Sequence, residues 1–183
     1  MPMGPVPPAQ ILAPRRLGPG LLDAAPGVHS HTSFAAAIKT ADQTHTSNTT
    51  LANDTHLTAT VEASTVYIFW FTIFYSQDAG GADDLKLAVT CPAGGTLRWG
   101  ASGAQPSSTD PQVTSVTLRY VSASGTGEQY GTSATGAHTL LGSGTLENGA
   151  TAGSLTIQHA QWASSANVLR IRQGSNLLVF PVG

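Results

Sequence analysis

Six histidines, His29, His31, His45, His56, His138 and His159, are the residues of this chain with the widest chemical reach, since a neutral imidazole can ligate a metal or move a proton near neutral pH. His29-Ser30-His31 places two rings on one side of an extended segment. A zinc or copper site needs further ligands, and no carboxylate or thiol is spaced to complete one, so no metal is expected. Covalent catalysis needs a Ser, Thr or Cys held beside a base. There is no Gly-x-Ser-x-Gly elbow, and the single cysteine, Cys91, falls on the inward face of an expected strand, where free cysteine behaves as a small apolar residue. Glycoside hydrolysis needs two carboxyl groups facing one another. Asp83, Asp84, Asp110, Glu128 and Glu147 all fall in or beside expected loops, where solvated surface is the default. Asp78 to Asp84 lacks the alternating oxygen ligands of a calcium loop, and no glycine-rich phosphate loop leads from a strand into a helix. No catalytic residue, metal or cofactor is therefore assigned.

The elements that would position any such group are strands. From Ser33 onward apolar residues recur with a period of two, and turn residues follow every 8 to 15 positions. The expected strands are Phe34 to Lys39, Leu57 to Val61, Thr65 to Tyr75, Leu85 to Cys91, Thr96 to Trp99, Gln112 to Ser122, His138 to Glu147, Ala152 to Trp162, Asn167 to Arg172 and Asn176 to Pro181. Thr40 to Thr55 reads as a polar loop or frayed edge strand. Thr65 to Tyr75, apolar on both faces, reads as central. Leu85 to Cys91 is expected to return from it as a hairpin. Gly100 to Pro111 is expected to cross between sheets, and Val113, Val116, Leu118 and Tyr120 to point inward. Ser124 to Ala137 reads as a long loop, Asn148-Gly149 as the turn of a strand pair, and Gly174 as the turn of a terminal hairpin. The predicted fold is all-β, an antiparallel two-sheet β-sandwich of jelly-roll type over residues 28–183. Seven prolines among the first 27 residues forbid helix and central strand there, so residues 1–27 read as an extended Pro/Gly-rich arm.

Composition narrows the function classes. Charged residues make up 10% of the chain against about 25% in an average soluble protein, with Thr, Ser, Ala and Gly in their place. Such a surface suits strands, and it suits being covered by a neighbour. A net charge of −2 provides no field toward nucleic acid or an anionic membrane. The N-terminus shows no basic segment leading into an apolar run of the secretory kind, and the apolar run Val66 to Tyr75 is too short to cross a bilayer as a helix. The expectation is an assembly protein without nucleic-acid or membrane partners.

Several stretches together resemble a known group. Lys39-Thr40-Ala41-Asp42, Thr49-Thr50-Leu51-Ala52-Asn53-Asp54 and His56-Leu57 precede the aromatic strand. Asp84-Leu85-Lys86-Leu87, Thr90-Cys91-Pro92-Ala93-Gly94-Gly95, Arg98 and Trp99 follow it, and Gly153 to Gln161 with Gly174-Ser175-Asn176-Leu177 close the chain. Over residues 34 to 180 the sequence resembles β-rich virion structural proteins of tailed phages of actinobacteria, of the capsid decoration or minor capsid type. His159 stands where that pattern carries Trp.

The resemblance implies a capsid decoration (cementing) protein, made in the host cytoplasm, that binds the outer surface of an icosahedral shell as a homotrimer with the major capsid protein as partner. The resemblance leaves the arm unmatched; by composition it reads either as disorder or as a docking arm in which Ile11, Leu12, Arg15, Arg16, Leu17, Leu21 and Leu22 contact the shell or a neighbour. Tyr67, Phe69, Phe71, Trp99 and Trp162 are the candidate oligomer interface. The alternative is a tail fibre, collar or baseplate component whose loops Gly100 to Pro111 and Ser124 to Ala137 meet a host glycan or another protein. A carbohydrate-active jelly roll would need facing acids or a metal, which these residues do not assemble.

Overall fold

The computed structural model describes residues 34–78, 83–106, 115–133 and 136–182. The expected arm, residues 1–27 with its seven candidate contact residues, lies outside them. Ser33–Gly183 forms one compact unit, built from strands β1 Ala35–Ile38, β2 Gln43–His45, β3 Ala52–Val61, β4 Val66–Gln77, β5 Leu85–Thr90, β6 Thr96–Ala104, β7 Val116–Val121, β8 Glu128–Tyr130, β9 Ala137–Glu147, β10 Gly153–Gln161, β11 Leu169–Ile171 and β12 Asn176–Val182.

The strands form two antiparallel sheets. The larger has the order β1-β12-β4-β9-β6-β7, with β11 continuing alongside β4 and β2 alongside β11. The smaller is β3-β10-β5-β8. Leaving aside the β6–β7 hairpin, successive long strands alternate between the sheets, the winding of a jelly roll. The hairpin is inserted between β5 and β8 and widens the larger sheet by two strands.

β4 is central because both its faces are apolar and both its edges are paired, to β9 on one side and to β12 and β11 on the other. Its odd-numbered residues Tyr67, Phe69, Phe71, Ile73 and Tyr75 face the smaller sheet and meet Leu57, Val89, Leu155 and Ile157 in a single core. Room for the rings comes from β9. A methyl group at Gly142 would fall within the Phe71 ring and one at Gly144 against Phe69, so glycine on that strand is the complement of phenylalanine on its neighbour.

Several expected connections are corrected. Leu85 to Cys91 does not return against β4; β5 lies in the other sheet, between β10 and β8. Thr96 to Trp99 extends as β6 to Ala104, so the first part of the expected crossing loop is strand, and β7 pairs with β6 in the same sheet. The Ser124 to Ala137 loop contains β8. β9 and β10 are in opposite sheets, and Asn148 turns the corner between them, its N–H bonded to Thr65 O at 2.9 Å and its side-chain amide to Glu62 O at 2.7 Å. β11 and β12 are no hairpin: both run antiparallel to β4, one beyond the other. Gly174, at φ +86°, bends the chain between them, and the Ser175 hydroxyl receives the Phe74 N–H at 3.0 Å. In each case the connection passes between sheets or along one edge, and strand periodicity carries no information about which.

Candidate functional site: the outer face of the larger sheet

The even-numbered residues of β4, Val66, Ile68, Trp70, Thr72 and Phe74, point away from the core, and pairing fixes what stands beside them. Ala36, Leu178, Trp70, Ser143, Gly100 and Tyr120 form one cross-strand row, and Ile38, Asn176, Thr72, Leu141, Ser102 and Leu118 form the next. Phe34 stacks on Phe180 at 5.3 Å, and Phe180 meets the edge of Trp70 at 5.2 Å. Leu118 is 80% exposed, Tyr120 71%, Leu141 57% and Trp70 46%. Among the described residues, every exposed large apolar side chain except Trp162 belongs to this face. Arg98 and Glu147, paired at 3.0 Å, neutralise each other at one margin.

The smaller sheet presents the opposite chemistry. Its outer face carries Thr58, Thr60, Lys86, Thr90, Thr156 and Gln158, with Thr58 and Thr156 hydroxyls bonded at 2.9 Å. Thr58 and Thr60 are exposed, while Ala88, Thr156 and Ala160 are buried where the segments around Thr49 and Gly127 pack over Lys86 and its neighbours. β7 inverts the usual pattern: Val116, Leu118 and Tyr120, expected inward, face out, while Thr117 and Arg119 face in and Arg119 approaches Glu128 at 3.7 Å. Val113 lies outside the described residues. An apolar outward row on an edge strand is a contact surface waiting to be covered.

The interface residues expected from sequence are corrected accordingly. Tyr67, Phe69, Phe71 and Trp99 are buried within the protomer and have no surface to offer a neighbour. Their neighbours on the same strands, Ile68, Trp70 and Gly100, face outward instead. Trp162 is exposed beyond β10, in the smaller sheet, with Lys86 Nζ 5.7 Å from its ring centre.

The histidines divide. His29 and His31 lie outside the described residues. His45 and His159 join a buried chain that sequence reasoning missed. Lys39 Nζ donates to Asp54 Oδ2 at 2.7 Å, His159 Nε2 lies 2.8 Å from the same oxygen, and His45 Nε2 lies 2.6 Å from His159 Nδ1. Bonding assigns the protons: His159 Nε2–H donates to Asp54, so His159 Nδ1 accepts from His45 Nε2–H, and both rings are neutral. Burial, then the nearness of His159 and Lys39, pushes His45 down to about 4 against the pull of Asp54. Burial likewise lowers His159, although its bond to Asp54 opposes this. Burial alone would raise the Asp54 carboxyl, but its hydrogen bonds from His159, Lys39 and the N–H groups of His56 and Leu57 hold it well below the usual carboxylate range. The chain joins β2, β3 and β10 to the residue after β1.

His138 Nε2 lies 3.0 Å from Ser133 Oγ, a nucleophile and base distance, but both side chains are buried and His138 Nδ1 has no hydrogen-bond partner to orient it. No substrate reaches that hydroxyl in this arrangement. Asp83 and Asp84, expected to be solvated, are buried and tie loops together. Asp84 accepts the Thr132 N–H at 3.0 Å and the Gln129 amide at 2.7 Å, and Asp83 accepts the Asn167 amide at 3.0 Å as well as Gln77. Glu128 pairs with Arg119, Glu147 with Arg98, and Asp110 lies outside the described residues. Cys91 is half-buried against the core. Among the described residues no three His, Cys, Asp or Glu side chains are disposed to hold a metal ion, and no helix is long and apolar enough to cross a membrane.

No family model matches the chain, and no curated protein does. Among solved structures, that of the infectious bursal disease virus Gx strain matches at 9% identity over 80% of this chain and 34% of the other, with a TM-score of 0.21. The VP2 subviral particle of that virus matches at 7% over 82% and 41%, also at 0.21, and the Gt strain at 12% over 82% and 42%, at 0.22. The chain thus spans less than half the length of each. TM-scores this low define no common superposition and carry no functional assignment.

Proposed function

We propose that this chain is a structural component of a tailed-phage particle, a capsid decoration protein that associates with copies of itself, as a trimer, and seals the outer surface of the shell against the major capsid protein. The observation that carries the reading is the asymmetry of the sandwich: the smaller sheet's outer face is polar and partly packed under its own loops, whereas across β4, β9, β6 and β7 the larger sheet's outer face is apolar and, among the described residues, exposed. The β4 row from Val66 to Phe74 is about 27 Å long, and six strands span about 24 Å. That footprint is near the roughly 800 Å² per partner of a stable interface. The sequence resemblance to virion structural proteins supports the same assignment, and the composition supports assembly over catalysis.

The test is mass in solution by light scattering, followed by mixing with purified capsids. A defined oligomer that saturates the shell supports decoration; a monomer that ignores capsids overturns it. The tail fibre, collar or baseplate reading keeps one specific support. A polar cleft of about 420 Å³, lined by Asp42, Asp78, Arg170 and Arg172, opens where the Ser124 to Ala137 segment ends, and paired carboxylates and guanidinium groups suit sugar hydroxyls. Retention on host cell walls that is lost with Arg172→Ala would favour it.

A further inference from the structure

The outer face is not flat, and its relief says what fits it. Along one row Trp70, Ser143, Gly100 and Tyr120 stand on β4, β9, β6 and β7, so the two aromatic side chains are three strand spacings, about 14 Å, apart with only a hydroxymethyl group and a hydrogen between them. In the next row Ser102 continues the low floor, with Leu141 and Leu118 on either side. The result is a trough of about 310 Å³ running along the strands, continued past Gly100 and Tyr120 by a second hollow of about 230 Å³. Trp70, Leu141 and Leu118 wall the first hollow and Tyr120 the second, and serine hydroxyls lie on the floor. A shallow trough with apolar and aromatic sides is the kind of surface that receives a polyproline II segment, whose backbone is already extended before binding.

We propose that this trough receives Pro5-Val6-Pro7-Pro8 from the N-terminal segment of a neighbouring copy of the chain. The proposal rests on the reading of this face as a contact surface and adds its occupant. The first described residue, Phe34, belongs to the same face and is linked through Phe180 to Trp70, so the 33 residues that precede it depart from the margin of the surface they would fill. Twenty-six residues lead from Pro8 to Phe34, a chain length of at most about 80 Å at about 3.1 Å per residue. The chain's own trough lies about 15–20 Å away, three to four strand spacings, and the trough of a copy packed against this face is also within that length. Proline lowers the conformational entropy lost on docking, and the absence of charged side chains from Pro2 to Leu12 matches walls without an unpaired charge. Copies joined in this way would form a closed ring of arms, each held by its neighbour.

The experiment uses the full chain carrying a photoreactive benzophenone side chain in place of Val6, as an equal mixture of nitrogen-15-labelled and unlabelled protein. The expected result is cross-linked peptides of mixed isotope that join position 6 to the strand segments around Trp70, Ser143 or Tyr120. S143W, which fills the trough from the solvent side, should lower their yield by about tenfold, equivalent to about 1.4 kcal/mol, while leaving the thermal midpoint in place. Cross-links to other segments, links within one isotope only, or a yield indifferent to S143W would each overturn the proposal. If the protein nevertheless forms its oligomer and coats capsids, only the occupant is wrong. A monomer that binds no capsid overturns the contact-surface reading as well.

Discussion

Lys39 is a charged amine 1% exposed, and its tolerance depends on one carboxylate. Removing one partner of a buried ion pair leaves the other charge uncompensated, at a cost of about 3–5 kcal/mol, whereas replacing both by apolar groups is often neutral. Asp54→Ala is therefore expected to lower unfolding stability by that order in a urea titration, and adding Lys39→Met should restore part of it. The histidines add a pH dependence with a definite sign. His45 titrates at about 4 in the folded protein and near 6.5 once unfolded, so between those values the unfolded chain binds more protons. Stability is complete above pH 6.5 and falls as pH drops toward 4. Lys39, Asp54 and His159 are the ionisable groups facing His45; His159 is lowered too and steepens the same window, and Asp54 adds loss below its ordinary value of 3.8. Thermal midpoints of wild type and His45→Gln from pH 7.5 to 4.5 check this: the variant's curve should be the flatter. None of the four residues carried a local sequence signal, because the network forms between positions as far apart as 45 and 159.

At the scale of strands, most of the fold was legible. Alternation located nearly every long strand, and the two-faced apolar run located β4. The choice of face failed by a single residue. Tyr67, Phe69 and Phe71 read as a contact row, yet Thr72 and Ser76 share parity with Trp70 and mark the even positions as the outward ones; a one-residue shift moves an entire set to the other side. β7 misled for a different reason. Its apolar row alternates as a core-facing row does, and only the three-dimensional position of β6–β7 at the margin of the widened sheet turns it outward. Gly142 and Gly144 fall inside an expected strand with nothing local to explain them, and the structure makes Gly142 a packing partner of Phe71. Gly142→Val should destabilise the sandwich by about 1–3 kcal/mol through overpacking against Phe71, and Phe71→Ala/Gly142→Val should cost less than the two single changes added together, as a double-mutant cycle in urea will show.

For the molecule as a whole, the decisive property is that its two outer faces differ. Leu118 and Tyr120 are so exposed that they contribute little to the fold, so Leu118→Lys/Tyr120→Lys should leave the thermal midpoint within about 2 °C, the shift expected of surface changes under 0.5 kcal/mol. The same pair of changes should abolish self-association measured by light scattering, because burying two unpaired ammonium groups costs far more than such a contact can return. Thr58→Lys/Thr60→Lys, the matching change on the smaller sheet, should leave the oligomer intact. Salt separates an apolar contact from an ionic one: screening at 1 M shortens the reach of charge to about 3 Å, yet association through this face, where Arg98 and Glu147 already satisfy each other, should hold between 0.1 and 1 M. An oligomer that dissolves with salt, or that tolerates lysine at 118 and 120 but not at 58 and 60, would place the contact on the threonine face.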